Sequence, residues 1–220
     1  RGLGDVYKRQ INMLQIKQLN KAFSNKQIFK NFNYTLETHD HLLISGVSGS
    51  GKSTLAQIIA GLDSNYQGTL IYNDLELGHI SQHKWMKHIQ YVPQYHSSTL
   101  DPNKTVHWIL KQPLIHFHYP KAIHEDRIKE VMSQCKLESQ LLGKKVSTLS
   151  GGQFQRLWIA KALLVEPDVL ILDEATTNLD MVNEDIILQM LREFQHLQLI
   201  IITHDSYLLK ALPGKHLNIG

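Results

Sequence analysis

The stretch Gly46-Val47-Ser48-Gly49-Ser50-Gly51-Lys52-Ser53-Thr54 constrains this chain more than any other part of it. It fits the pattern G-x(4)-G-K-[ST], in which glycines let successive backbone N–H groups close around phosphate oxygens. Its flanks agree with that reading. Upstream, Leu42-Leu43-Ile44 is a short apolar run that predicts a buried strand. Downstream, Leu55, Ile58, Ile59 and Leu62 recur at helical spacing, predicting a helix whose positive N-terminal end adds to the phosphate trap. In such a loop Lys52 reaches the β- and γ-phosphates and the Ser53 hydroxyl serves as a Mg²⁺ ligand.

The 220 residues are enough for one domain with a sizeable core. A net charge of +3 permits contact with an anionic surface without pointing to one. The single cysteine excludes an internal disulfide, and Cys135 continues the helical series Ile128, Val131, Met132, which predicts a buried structural thiol. No apolar run approaches the roughly 20 residues that span a bilayer. Residues 1–12 precede a methionine, Met13, and read as a leader outside the fold, with residues 13–220 as a single domain.

Along the chain, Leu14 to Leu19 and Ile28 to Leu36 alternate as half-buried strands, with Phe23 in a polar turn between them. Thr69 to Tyr72 and Ile89 to Val92 are further short strands. From Thr105 to about Leu142 the periodicity is helical, interrupted at Pro113 and Pro120, and a helical subdomain is expected over about 100–165. Ser150 is placed to cap a helix running to about Val165. Val169-Leu170-Ile171-Leu172 and Leu199-Ile200-Ile201-Ile202 are continuous apolar runs, the mark of strands buried on both faces. Between them Ile186, Ile187, Met190, Leu191 and Phe194 form one side of a helix. Alternating strands and helices predict an α/β core with a largely parallel sheet.

In such a sheet, ligands sit at the carboxyl ends of the strands. Asp173 stands at one of these ends and is suited to hold Mg²⁺ directly or through water. Glu174, one residue on, is the candidate to polarise an attacking water. His204 follows the second buried run and is a candidate for contact with a γ-phosphate and that water. Gln94, just past a third strand, offers an amide for Mg²⁺-bound water. Leu149-Ser150-Gly151-Gly152-Gln153 is a second glycine-rich helix start and falls outside a site that the other parts already surround. The chain therefore carries two halves of a nucleotide clamp.

The set GVSGSGKST at 46–54, Gln94, LSGGQ at 149–153, VLILDE at 169–174, Asn178-Leu179-Asp180 and His204 resembles the ATP-binding domain of ABC transporters from Met13 to about Leu209. The resemblance implies a P-loop NTPase core with a mostly parallel sheet, an antiparallel β subdomain and an inserted helical subdomain. It also implies ATP hydrolysis with Mg²⁺ in a head-to-tail dimer, each ATP lying between one subunit's P-loop and the other's LSGGQ. Within it Phe23 matches the aromatic residue that stacks on adenine, and Asp180 lies in the loop through which the two sites sense each other.

The segment from Leu100 to Leu114, the apolar Phe154 after LSGGQ, and Ala175 where most of the family has proline look most like the ATPases of peptide and nickel importers, nearest the nickel branch. That group implies a second ATPase subunit, two integral membrane permease subunits and an external substrate-binding protein, with this chain peripheral on the cytoplasmic face of the membrane. Lys161 departs from the pattern by replacing a usual arginine. An exporter ATPase and a soluble switch on ribosomes or DNA are the alternatives; the importer-like segment favours import, and no nucleic-acid partner is expected. Of the 13 histidines, His79, His83, His116 and His118 are at suggestive spacings but are expected to be surface residues rather than metal ligands.

Overall fold

The computed structural model describes residues 13–24, 26–37, 40–94, 99–177, 179–194 and 196–220. The expected leader and Asn178 lie outside the described residues. Two sheets organise the chain. An antiparallel one, in the order β2-β1-β4-β5, is built from β1 (Leu14–Phe23), β2 (Lys26–Leu36), β4 (Gln67–Tyr72) and β5 (Leu75–Glu76). Phe23, expected in a turn, is instead the last residue of β1 and pairs with Lys26. Asn73 and Asp74, both at positive φ, make the two-residue turn into β5 that a right-handed twist favours.

The second sheet is wholly parallel, in the order β6-β7-β8-β3-β9. Its strands are β3 (Leu42–Ser45), β6 (Ile89–Val92), β7 (Val169–Asp173), β8 (Gln198–Ile202) and β9 (Lys215–Asn218). All five residues of β7 and of β8 are buried, as their unbroken apolar runs require. Side chains alternate between faces. Val169, Ile171, Ile200 and Ile202 join a core with the antiparallel sheet and helix α1 (Lys52–Ile59). Leu170, Leu172, Leu199 and Ile201 join the core under α3 (Val106–His116), α4 (His124–Gln134), α5 (Gly151–Leu163) and α6 (Met181–Glu193).

Two sequence expectations shift here. Pro113 does not interrupt its helix; it lies buried in the last turns of α3, and Phe117 N–H to Pro113 C=O at 2.9 Å closes the helix after it. A proline this near the C-terminal end forfeits a single hydrogen bond. On α6 the buried stripe is Ile187, Leu188, Met190 and Leu191, with Ile186 and Phe194 only half-buried. Two short helices, α2 (Gln82–His88) and α7 (Ser206–Ala211), gave no readable period. In α2 a single buried side chain does the anchoring: Trp85, whose indole N–H donates to Ile59 O at 2.9 Å. Cys135 is buried at the end of α4 and its thiol is pushed up by burial. His79, His83, His116 and His118 are all exposed.

Candidate nucleotide site

Because β3, β6, β7 and β8 are parallel, the segments leaving them emerge on one edge. The glycine-rich loop follows β3, Gln94 follows β6, Glu174 follows β7 and His204 follows β8. A cleft of about 550 Å³ opens there, and Phe23, Lys52, Ser53, Gln94, Glu174 and His204 line it together with Ser48, Gly49, Gly51 and Thr54. Phe23 is 50% exposed, so it is no core residue, and the Lys21 ammonium lies 4.6 Å from its ring centroid.

Gly46 opens the loop at the end of β3, and Ser50 N–H donates to Val47 O across its tip at 3.3 Å. The Ser50 hydroxyl is buried with no partner among the described residues. Gly51 closes the loop as the N-cap of α1 at φ 107, and a Cβ there would lie 2.3 Å from Ile28 Cγ2. No side chain caps α1 and no acid stands in its first turn, which leaves its positive end to an outside anion. Lys52 Nζ is buried and donates to Gly46 O and Val47 O, each at 2.9 Å. The ammonium is thus pre-positioned by the loop's own carbonyls.

Asp173 is only 3% exposed. Its carboxylate accepts from Ser53 Oγ at 3.1 Å and from the Tyr91 hydroxyl at 2.7 Å. Burial pushes this carboxyl up, while the two hydroxyl donors and the nearby Lys52 pull the other way. The sequence alone gave no sign of Tyr91, since its link to Asp173 depends on the pairing of β6 with β7. Among the described residues no three His, Cys, Asp or Glu side chains group to hold a metal. Mg²⁺ asks for less from a protein: one or two hard oxygens beside phosphate and water, a demand that Ser53 and Asp173 could meet.

Glu174 stands at φ 48, a left-handed conformation that turns its side chain away from that of Asp173, with its N–H held by Ile202 O at 2.9 Å. One carboxylate oxygen accepts from Gln94 Nε2 at 3.1 Å and the other lies 3.1 Å from His204 Nε2. This arrangement presents a proton acceptor, held from two sides, at the mouth of a phosphate cradle.

Leu149 to Gln153 are not in this cleft. Ser150 caps α5 in a reciprocal box: its hydroxyl accepts from Gln153 N at 3.3 Å, and Gln153 Oε1 accepts from Ser150 N at 3.0 Å. The amides of Gly151 and Gly152 remain among the helix-start donors without an intrahelical acceptor. Asp180 caps α6 and is held ionised by the backbone and side-chain donors of Asn183. Lys161 lies with its ammonium 4.2 Å from the Trp158 ring centroid, and burial lowers its pKa.

A phosphate loop after β3, a carboxylate at the tip of β7 two strands away in the same parallel sheet and a capped glycine turn outside the cleft define an ATP-binding cassette. The sequence profile described as ABC transporter matches residues 29–177, and the chain belongs to that family. It is 34% identical over 198 residues to the nickel import ATP-binding protein NikE of Escherichia coli strain K12, spanning 87% of this chain and 74% of that protein. The protein of the same name from Shigella dysenteriae serotype 1 is 35% identical over 200 residues, with 86% and 75% covered. Among solved structures, the dimeric post-hydrolysis state of the ATP-binding cassette MJ0796 bound to ADP and Pi superposes with a TM-score of 0.81 at 25% identity, covering 94% of each chain. For cbiO1 from Clostridium perfringens, part of the ABC transporter complex cbiONQ, the TM-score is 0.83 at 26% identity, with 95% and 85% covered. The chain is an ATP-hydrolysing subunit of the ABC transporter family.

Proposed function

We propose that this chain is one of the two ATPase motors of an importer for nickel or a metal chelate, within a group that also carries peptides. It works on the cytoplasmic face of the membrane, bound to two permease subunits that receive cargo from an external binding protein. Its 34% identity to a nickel import ATPase supports the cargo class. Among the described residues no helix is long and apolar enough to cross a membrane, so a route for cargo is left to partner subunits.

The observation that carries the motor mechanism is the placement of the Ser150–Gln153 turn outside the cleft that holds every other phosphate-directed part. A second ATPase subunit, packed head to tail, brings its own turn over this cleft and receives this chain's turn over its ATP. Lys52 and the amides from Gly46 to Thr54 hold the β- and γ-phosphates, Phe23 stacks on adenine, and Ser53, Asp173 and Gln94 would hold Mg²⁺. When bound, Mg²⁺ offsets negative charge on the phosphate oxygens. Glu174 takes a proton from the attacking water, and His204 orients that carboxylate and the γ-phosphate. Ser150 and the amides of Gly151 and Gly152 from the partner, with Gln153 closing their turn, steady the transferred phosphoryl group. Asp180 lies beside that turn and links the two sites. Cleavage of the γ-phosphate removes the contacts that hold the pair shut.

Cells of the host carrying Lys52→Ala in this chain are expected to lose accumulation of radioactive nickel. Unchanged nickel uptake alongside lost peptide uptake moves the cargo to the peptide class. Unchanged uptake of both removes the importer reading.

A further inference from the structure

The Asn183 side chain stands where the two elements outside the cleft meet. Its Oδ1 accepts from Arg156 Nη1 at 3.0 Å, and its Nδ2 donates to Asp180 Oδ2 at 2.8 Å. Its backbone N–H donates to Asp180 Oδ1 at 2.9 Å. The same Oδ1 oxygen packs against the Ser150–Gln153 turn so closely that a Cβ on Gly152 would lie 1.9 Å from it. One amide therefore touches the glycine turn, a buried guanidinium from α5 and the cap of α6. The requirement is specific: an acceptor toward a buried cation and a donor toward a carboxylate, from one short side chain. An apolar residue would leave Arg156 buried without this partner, and an acid would set a second negative charge against Asp180.

We infer that Asn183 is a positioning residue that locks the Ser150–Gln153 turn to the Asp180 loop, so that the two meet the second chain as one rigid face. The inference rests on the proposed reading that this turn closes over the partner's nucleotide. Neither Asn183 nor Arg156, Gly152 or Asp180 lines the chain's own cleft, so its effect falls on pairing rather than on nucleotide binding by a single chain.

The test is ATP-driven dimerisation in a Glu174→Gln background, followed by analytical ultracentrifugation. Asn183→Asp keeps a partner for Arg156 but repels Asp180. It is expected to weaken the dimer about tenfold or more, the size of losing a hydrogen bond to a charged group. Nucleotide affinity of the isolated chain stays within about twofold. Asn183→Thr, whose hydroxyl both accepts and donates, is expected to hold dimerisation within about threefold of the parent. Dimerisation of the Asn183→Asp protein equal to the parent's, or a loss in the threonine variant as large as in the aspartate one, overturns the inference and leaves the dimer reading standing. If the Glu174→Gln parent itself fails to pair with ATP, the dimer reading falls and the inference with it. Should the aspartate variant not fold, the isosteric pair Asn183→Thr and Asn183→Val decides, and equal dimerisation of those two overturns the lock.

Discussion

His204 Nε2 lies 3.1 Å from one oxygen of Glu174. The two residues are 30 positions apart and follow adjacent parallel strands, β7 and β8, while Gln94 beyond β6 takes the other oxygen. A carboxylate held from two sides costs little reorganisation when a water arrives, which is the condition for efficient proton transfer.

Glu174→Gln keeps the shape of this group and one acceptor oxygen but cannot take a proton. Turnover is expected to fall by about 10²–10⁴-fold. Nucleotide affinity, measured by calorimetric titration, should stay within about threefold. Normal turnover in this variant sinks the assignment of Glu174 as the base.

Tyr91→Phe removes one of the two hydroxyl donors that offset the burial of Asp173. The carboxyl then titrates at higher pH, so the acid limb of the ATPase profile moves upward. The Mg²⁺ concentration for half-maximal activity is expected to rise roughly 10–100-fold, the usual scale for a partner that supports a metal ligand. An unchanged Mg²⁺ requirement separates Tyr91 from the metal site.

The two glycines of the turn are not equivalent. A Cβ at Gly151 would meet Leu179 at 3.6 Å, ordinary contact, whereas one at Gly152 would strike Asn183. Gly152→Ala is expected to cost about 1–3 kcal/mol through overpacking. Gly151→Ala, placed in a helix that alanine favours, should change stability by less than about 1 kcal/mol. Chemical denaturation measures both, and equal losses contradict the tight contact with Asn183.

Glu184, in the first turn of α6, has its carboxyl pushed up to about 7 by burial and then by its hydrogen bond to Asp205. The folded chain thus holds a proton that the unfolded chain releases near 4.5. Stability from this group is present at low pH and is lost as pH rises from about 4.5 to 7. Glu184→Gln should melt higher than the parent at pH 8, with the gap closing as the solution is acidified toward pH 4.5. Parallel melting curves across that range contradict the shared proton.

Local patterns carried much of this protein. The loop at 46–54, the unbroken apolar runs of β7 and β8 and the acids at 173 and 174 are contiguous in sequence, and their chemistry follows from the order of residues along the chain. Short-range periodicity likewise marked α4 and the burial of Cys135. The strand order β6-β7-β8-β3-β9 had no local signature, and β9 itself rests on pairing with β3. Tyr91 on Asp173 and Arg156 on Asn183 join residues that sequence distance keeps apart. Such contacts arise only when strand register and helix packing bring separate segments within hydrogen-bond reach, and periodicity within any one segment carries no record of which neighbour it will meet.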